Sequence, residues 1–282
     1  MTEQATVLEA EAILERFREE LWRSPPEVVR MRVRWARRWL EEAGPPPWPR
    51  GKVIAFVRRL EREGYSPGTV RHVYGIIKRV FDAAGVRWEM GKRSAPRVSL
   101  TDVLRPALSV EEVGRMVAAA KKGPPDRAAF LALCTTYGMR RLELCLVTPG
   151  DVDYRAGRVL VRTVKGGDPR VHLLPDEIAP WLRRHDFSRR YSPGDLSLMW
   201  LNLEREAGVE RRELQGWHSV RRALDSYLLD TARLPLHVVY SFLRWKTPSA
   251  LLASMPYRYL IKSPEEVDRE VFAVHPFLPM WK

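Results

Sequence analysis

Leu131-Ala-Leu-Cys-Thr-Thr-Tyr-Gly-Met-Arg-Arg-Leu-Glu-Leu-Cys-Leu146 is the stretch on which the reading of this chain turns. Apolar residues fill most of its positions, so it reads as buried helix. The run breaks at Thr136-Tyr137-Gly138, where glycine permits a turn or a close backbone approach, and two arginines follow at once. On this reading a second helix begins near Met139, with Arg140 at its start and Glu143 one turn on along the same face. An arginine held by a carboxylate beside a helix N-terminus is suited to binding a phosphate. The same pair also suits a structural ion pair at a helix–turn–helix corner, and this stretch alone does not choose between the two.

Charge is the first evidence from outside the stretch. The 282 residues carry 48 Lys+Arg and a formal net charge of +13. Such a balance points to nucleic acid or another polyanion. It is not a tail: residues 1–100 are net +7 and the remainder net +6. A 45% hydrophobic content suffices for two domains with real cores. No segment approaches a membrane span, and the acidic N-terminus lacks the apolar centre of a signal peptide, so a cytoplasmic protein is expected. Cys134 and Cys145 are the only cysteines. On one continuous helix they stand about 16 Å apart, too far for a disulfide, and no metal-ligand spacing appears. Asn202 is the only asparagine and prolines number 22, a bias that hints at a thermophilic source.

Upstream, residues 1–90 read as a four-helix, DNA-binding domain. Ala10, Leu14, Phe17 and Leu21 recur at helical spacing, and Pro25-Pro26 opens a second helix running to about Ala43 with Met31, Trp35 and Trp39 on its apolar stripe. Gly44-Pro-Pro-Pro-Trp-Pro49 is a stiff connection before a third helix over Val53, Ile54, Val57 and Leu60. Ser66-Pro67 starts the fourth, with Val70, Val73, Tyr74, Ile77, Phe81 and Ala84 inward. Arg34, Arg37, Arg71 and Lys78 fall on other faces and are the candidate DNA contacts. Residues 91–107 read as a linker, and 108–282 as a second domain opening on a Ser109–Glu112 capping box.

Downstream, the period changes after Pro149-Gly150. Gly157–Val164 and Arg170–Leu174 read as two strands around a five-residue turn at Lys165-Gly-Gly-Asp-Pro169. Helices follow. The overall expectation is a mainly α chain with a small β-hairpin or sheet, an α+β domain behind a helical one. In Gln215-Gly-Trp-His-Ser-Val-Arg221, His218 and Arg221 are three apart and share a helix face.

Thr136-Tyr-Gly-Met-Arg-Arg-Leu-Glu143, then a hairpin bearing Lys165-Gly-Gly, then His218-Ser-Val-Arg221, resembles the tyrosine recombinase (phage integrase) family over about residues 108–260. Tyr65-Ser-Pro-Gly-Thr-Val70 and its helices resemble that family's core-binding domain. The resemblance implies that Arg140 and Arg221 are the two catalytic arginines, with Glu143 supporting them, Lys165 the hairpin lysine and His218 the histidine of the second box. Leu243-Arg-Trp245 resembles a Leu-Gly-His position where some members have Trp, so Trp245 is implied to pack and to donate one hydrogen bond.

The implied chemistry suits these residue types. A tyrosine hydroxyl attacks the scissile phosphate and forms a 3′-phosphotyrosyl link, and two fixed guanidiniums neutralise the charge that gathers on the non-bridging oxygens. Tyrosine has a pKa near 10, so attack at neutral pH needs a base, for which His218 is the candidate. Lys165 would protonate the leaving 5′-oxygen. No nucleotide, metal or other cofactor is implied. The implied partner is double-stranded DNA with a specific recombination site, bound by a homotetramer that is a monomer or weak oligomer when free.

The nucleophile departs from the pattern. The family places it roughly nine residues after the Trp245 position, which here is Ser254; the available tyrosines are Tyr257 and Tyr259. Tyr257 is the candidate, because Pro256 fixes the chain before it whereas Leu260-Ile261 draws Tyr259 toward a packed return. Two other classes compete with a recombinase: an inactive relative that only binds or shapes DNA, and a monomeric type IB topoisomerase-like enzyme. A plain helix–turn–helix regulator leaves the Lys165 hairpin unexplained. Ser263-Pro-Glu-Glu266 predicts a helix over Pro264–Phe272. The apolar end His275-Pro-Phe-Leu-Pro-Met-Trp281 is expected to dock, either on a neighbouring protomer or in cis on its own domain.

Overall fold

A computed structural model describes residues 3–99, 107–164, 169–245 and 262–282. Lys165, Tyr257 and Tyr259 lie outside the described residues. The chain divides into two compact units, Met1–Leu104 and Arg105–Lys282. Each is described by itself.

In the first unit, α1 (Glu3–Glu19), α2 (Pro26–Ala43), α3 (Arg50–Arg62) and α4 (Pro67–Ala84) form a bundle in which α4 packs on all three others. The α4 start follows from local chemistry: Ser66 Oγ accepts the Thr69 N–H at 3.3 Å, and Pro67 supplies a preset φ where no N–H is needed. Gly85, at φ 68, closes the helix in the left-handed conformation. Val70, Val73, Tyr74, Ile76, Ile77, Val80 and Phe81 are buried along α4. On α2 the inward face is Val33, Trp35, Ala36, Trp39 and Leu40, while Met31 is only partly buried. Trp39 is the hub. Its ring meets those of Trp48, Phe56 and Phe81 at 5.3–6.2 Å. Burial of each such aromatic stabilises the unit by about 2–3 kcal/mol.

The second unit is built around α6 (Pro125–Tyr137), buried over its whole length from Ala128 to Tyr137. A helix apolar on every side belongs in the middle, and α5 (Val110–Lys122), α8 (Ala179–Arg183) and α10 (Trp217–Ser226) surround it. Both bonds of the Ser109–Glu112 capping box form at the α5 start. Further elements are α7 (Arg141–Leu144), α9 (Pro193–Glu206), α11 (Leu236–Phe242) and α12 (Pro264–Ala273); a π-helical turn, Tyr227–Thr231, continues α10. No helix among the described residues is long and apolar enough to cross a membrane.

The sheet is antiparallel in the order β1 (Val152–Asp153), β2 (Arg158–Val161), β3 (Arg170–Leu173), with Val159 opposite both Val152 and His172. One expectation changes here. The strand pairing stops at Val161 and resumes at Arg170, so the connection is longer than five residues. The first strand, two residues long, has no period to betray it in the sequence.

At the C-terminal end the structure shows the cis alternative. The capped helix is present as α12, with both Ser263–Glu266 bonds. The segment after it docks on its own unit rather than standing free for a neighbour. Phe277, Leu278 and Trp281 are buried, Trp281 Nε1 donates to Thr135 Oγ1 at 3.0 Å, and Trp181 Nε1 donates to the Trp281 carbonyl at 2.8 Å. The physical reason is the apolar area of those three side chains, which α5 and α6 cover in cis.

Candidate active site and basic groove

Gly138 makes the corner on which the site is built. It ends α6 at φ 58, and a Cβ there would stand 2.8 Å from Leu243 Cδ2 and 3.4 Å from Arg221 Cγ. Glycine is therefore needed both for the left-handed turn and for the close approach of two other segments. The chain leaves the corner with Arg140 as N-cap of α7.

Glu143, fully buried, holds Arg140 twice: Oε1 accepts from Arg140 Nη1 at 2.5 Å and Oε2 accepts from the Arg140 backbone N–H at 2.9 Å. The backbone contact is the carboxylate half of a capping box, and the side-chain contact is a charge-assisted bond beside it. It leaves the Arg140 side chain 18% exposed, enough to meet a ligand.

Arg221 lies on α10, three residues after His218, and is only 2% exposed. Nη1 donates to the Gly138 carbonyl at 2.7 Å and Nη2 donates to the Leu243 carbonyl. A guanidinium has five N–H donors, and among the described residues the buried Arg221 Nε–H has no partner. Burial, with the nearby charges of Arg244 and Arg140, pulls the Arg221 pKa down to about 9. The site is thus crowded with positive charge and short of acceptors, as an anion site is. Trp245 stacks beside it, with the Arg221 guanidinium 5.7 Å from its ring centroid.

A cavity of about 580 Å³ opens in front, and Arg140, Arg141, His218, Trp217 and Gln215 line it. His218 is exposed at the first turn of α10. Of the residues singled out in the sequence, Arg140, Glu143, His218, Arg221 and Trp245 come together here. Lys165 and Tyr257 lie outside the described residues. Tyr137, inside the deciding stretch, is no rival nucleophile: its hydroxyl donates to the Leu173 carbonyl at 2.9 Å, and burial raises its pKa. Among the described residues no group of three His, Cys, Asp or Glu side chains is placed to hold a metal.

One site residue escaped the sequence reading. Arg244 is buried at φ 56, and its Nη2 reaches Glu143 Oε2 at 3.4 Å, the oxygen that also accepts the Arg140 backbone N–H. Burial lowers its pKa to about 10 against the pull of Glu143. The available signal was a lone basic residue inside the apolar run Val238-Val-Tyr-Ser-Phe-Leu-Arg-Trp245.

The first unit carries a separate groove of about 420 Å³, lined by Arg32, Gly68, Arg71, His72, Gly75 and Arg79. Arg71, Gly75 and Arg79 are spaced by four along α4, so they form one stripe. A Cβ at Gly68 or Gly75 would meet nothing within 4 Å, so the helix surface there is open. Of the predicted contacts Arg71 lies in this groove. Arg37 and Lys78 instead pair with Glu11 at 3.1 Å and Asp82 at 3.6 Å, and Arg34 lies over Trp35. Arg32 and Arg79 were missed, although the Gly-Arg alternation along 68–79 was a signal for Arg79.

Known proteins share the sequence family and the fold. Residues 106–253 match the Phage integrase family. Tyrosine recombinase XerA of Thermococcus kodakarensis is 30% identical over 225 residues, 73% of this chain and 76% of that protein. Among solved structures, a lambda integrase dimer bound to a COC′ core site superposes with a TM-score of 0.65 at 15% identity, over 90% of this chain and 79% of that one. A lambda integrase tetramer bound to a Holliday junction gives 0.64 at 15% identity, over 84% and 77%. With more than half of its length matched by the family and a relative of this identity aligned over three quarters of its own, the chain belongs to the phage integrase family of tyrosine recombinases.

Proposed function

We propose that this recombinase cuts and rejoins double-stranded DNA at a specific site through a 3′-phosphotyrosyl link, with Tyr257 as nucleophile. The observation that carries the reading is the pair Arg140 and Arg221. Arg140 lines the cavity beside His218, and Arg221, three residues after His218 on the same helix, lies close enough to feel the Arg140 charge while its Nε–H has no acceptor among the described residues. A phosphodiester passing to a pentacoordinate transition state supplies the missing acceptors, and donors fixed beforehand favour that state over the ground state.

Each group then has a task. Arg140, aimed by Glu143, and Arg221 bind the two non-bridging oxygens. His218, on the same cavity as Arg140, takes the tyrosine proton. Trp245 walls the Arg221 side and excludes water. Lys165, from the tip between β2 and β3, donates the proton to the leaving 5′-oxygen. The covalent bond to tyrosine keeps the phosphodiester energy, so rejoining is the reverse attack by a 5′-hydroxyl. The first unit grips the phosphate backbone through the Arg32–Arg71–Arg79 groove, joined by Arg34, Arg37 and Lys78. On a recombination site four copies assemble, as in the lambda integrase tetramer on a Holliday junction.

The test is covalent capture. Wild-type protein incubated with a pool of nicked duplexes should retain a DNA adduct through denaturing electrophoresis. Tyr257→Phe should bind equally and give none, whereas Tyr259→Phe should keep it. An adduct in Tyr257→Phe but not Tyr259→Phe moves the role to Tyr259. No wild-type adduct on any member of the pool returns the chain to the DNA-binding class.

A further inference from the structure

Arg244 breaks two rules at once. It occupies the left-handed region at φ 56, where a side chain is strained and glycine is not. It also buries a guanidinium to 1% side-chain exposure, which costs free energy unless the charge is answered. Something must hold it there, and its contacts say what.

Nη1 donates to the Tyr137 carbonyl at 3.1 Å and the Phe242 carbonyl at 3.2 Å, and faces His172 Nε2 at 3.1 Å. That histidine is fixed in turn. Asp268 Oδ1 lies 3.0 Å from His172 Nδ1, so the ring proton sits on Nδ1 and Nε2 presents its lone pair to Arg244. Burial keeps His172 neutral, with its pKa lowered to about 4. Arg244 therefore rests on neutral acceptors, and among the described residues its one carboxylate contact is Glu143.

Glu143 already serves Arg140. With Arg140 alone, the pair would be neutral, and the carboxylate would cancel the charge that the scissile phosphate needs. With Arg244 as well, Glu143 pairs with two cations. The three groups together carry one net positive charge, and Arg244 gives the Glu143 carboxylate a second anchor.

We infer that Arg244 is a positioning residue for strand cleavage: it fixes the Glu143 carboxylate that aims Arg140, and offsets its charge so that Arg140 remains an effective cation toward the phosphate. This rests on the functional reading above.

The experiment uses the full-length protein and a nicked duplex that wild type captures covalently. Arg244→Gly suits the backbone, because glycine adopts this φ freely. It should bind DNA within about twofold of wild type and form the adduct about tenfold more slowly, since it withdraws a supporting charge rather than a direct contact. Replacing the scissile phosphate by a neutral methylphosphonate removes the charge that Arg140 must meet, so on that substrate the difference should shrink to about threefold or less. Arg244→Lys should recover part of the rate on the phosphate. A folded Arg244→Gly that cleaves as fast as wild type, or loses the same factor on both substrates, overturns the inference. Should glycine unfold the domain, Arg244→Lys and Arg244→Met replace it. Faster cleavage by the lysine variant supports the charge role, and equal rates overturn it. A wild type that captures no duplex overturns the functional reading itself, whereas a cleaving wild type with an unaffected variant overturns only this role of Arg244.

Discussion

Gly138 shows how much one residue can be asked to do. Its φ of 58 and the 2.8 Å that would separate an added Cβ from Leu243 Cδ2 are independent constraints. Gly138→Ala should therefore cost about 1–2 kcal/mol for the left-handed backbone and more for displacing Leu243. At about 2–4 °C per kcal/mol for a unit of this size, a fall in Tm of roughly 5–10 °C is expected in a thermal melt. Arg140 and Arg221 should behave oppositely. Alanine at either should abolish adduct formation while filter binding shows most DNA affinity kept, because one phosphate contact is a small share of the electrostatic total. The arginine pair was legible from its motif. Arg244 was not, because its burial and its backbone strain arise from contacts with Glu143 and Tyr137, more than a hundred residues earlier in the chain.

Elements whose signals are local were the ones the sequence disclosed. Ser66, Ser109 and Ser263 sit where their side chains cap the next helix, and each does so. The β1 strand and the extent of the β2–β3 ladder depend on cross-strand partners and were not readable in the same way. The docking of the last segment is likewise tertiary. His275 explains its hold: Nε2 donates to the Thr136 carbonyl at 3.0 Å, while Nδ1 accepts the Phe277 and Leu278 N–H groups at 3.2 Å. Both nitrogens are committed only in the neutral ring, and burial lowers the pKa to about 4.

The sign of the pH effect follows. Below pH 6.5 the unfolded chain gains a proton on this histidine that the folded chain refuses, so stability is whole above 6.5 and declines as pH falls to about 4. The full loss is about 3 kcal/mol for His275, and His172 adds a similar amount over the same window. Urea melts from pH 7 to pH 4 should show this decline, and His275→Gln should flatten part of it. Deleting residues 275–282 should destabilise the second unit by about 5 kcal/mol, because Phe277, Leu278 and Trp281 leave their cover. A truncated protein that melts like the full chain but loses cooperative DNA binding would restore the docking of this segment on a neighbour.

At the scale of the whole molecule the proposed function divides the charge between two tasks. The second unit concentrates guanidiniums at a cavity, where geometry matters more than number. The first unit lays Arg32, Arg71 and Arg79 along an open groove, where number matters most, since each neutralised phosphate releases counterions. Affinity and chemistry should therefore separate under mutation. Alanine at Arg32, Arg71 and Arg79 together should reduce the slope of log K against log salt by about 2.7, at about 0.9 per contact. Alanine at Arg37 and Lys78 should reduce it less, because Glu11 and Asp82 already answer part of their charge. Binding isotherms between low and moderate salt decide this. An unchanged slope in the triple variant would take the groove out of the DNA interface and leave the net charge of +13 to act through other surfaces of the chain.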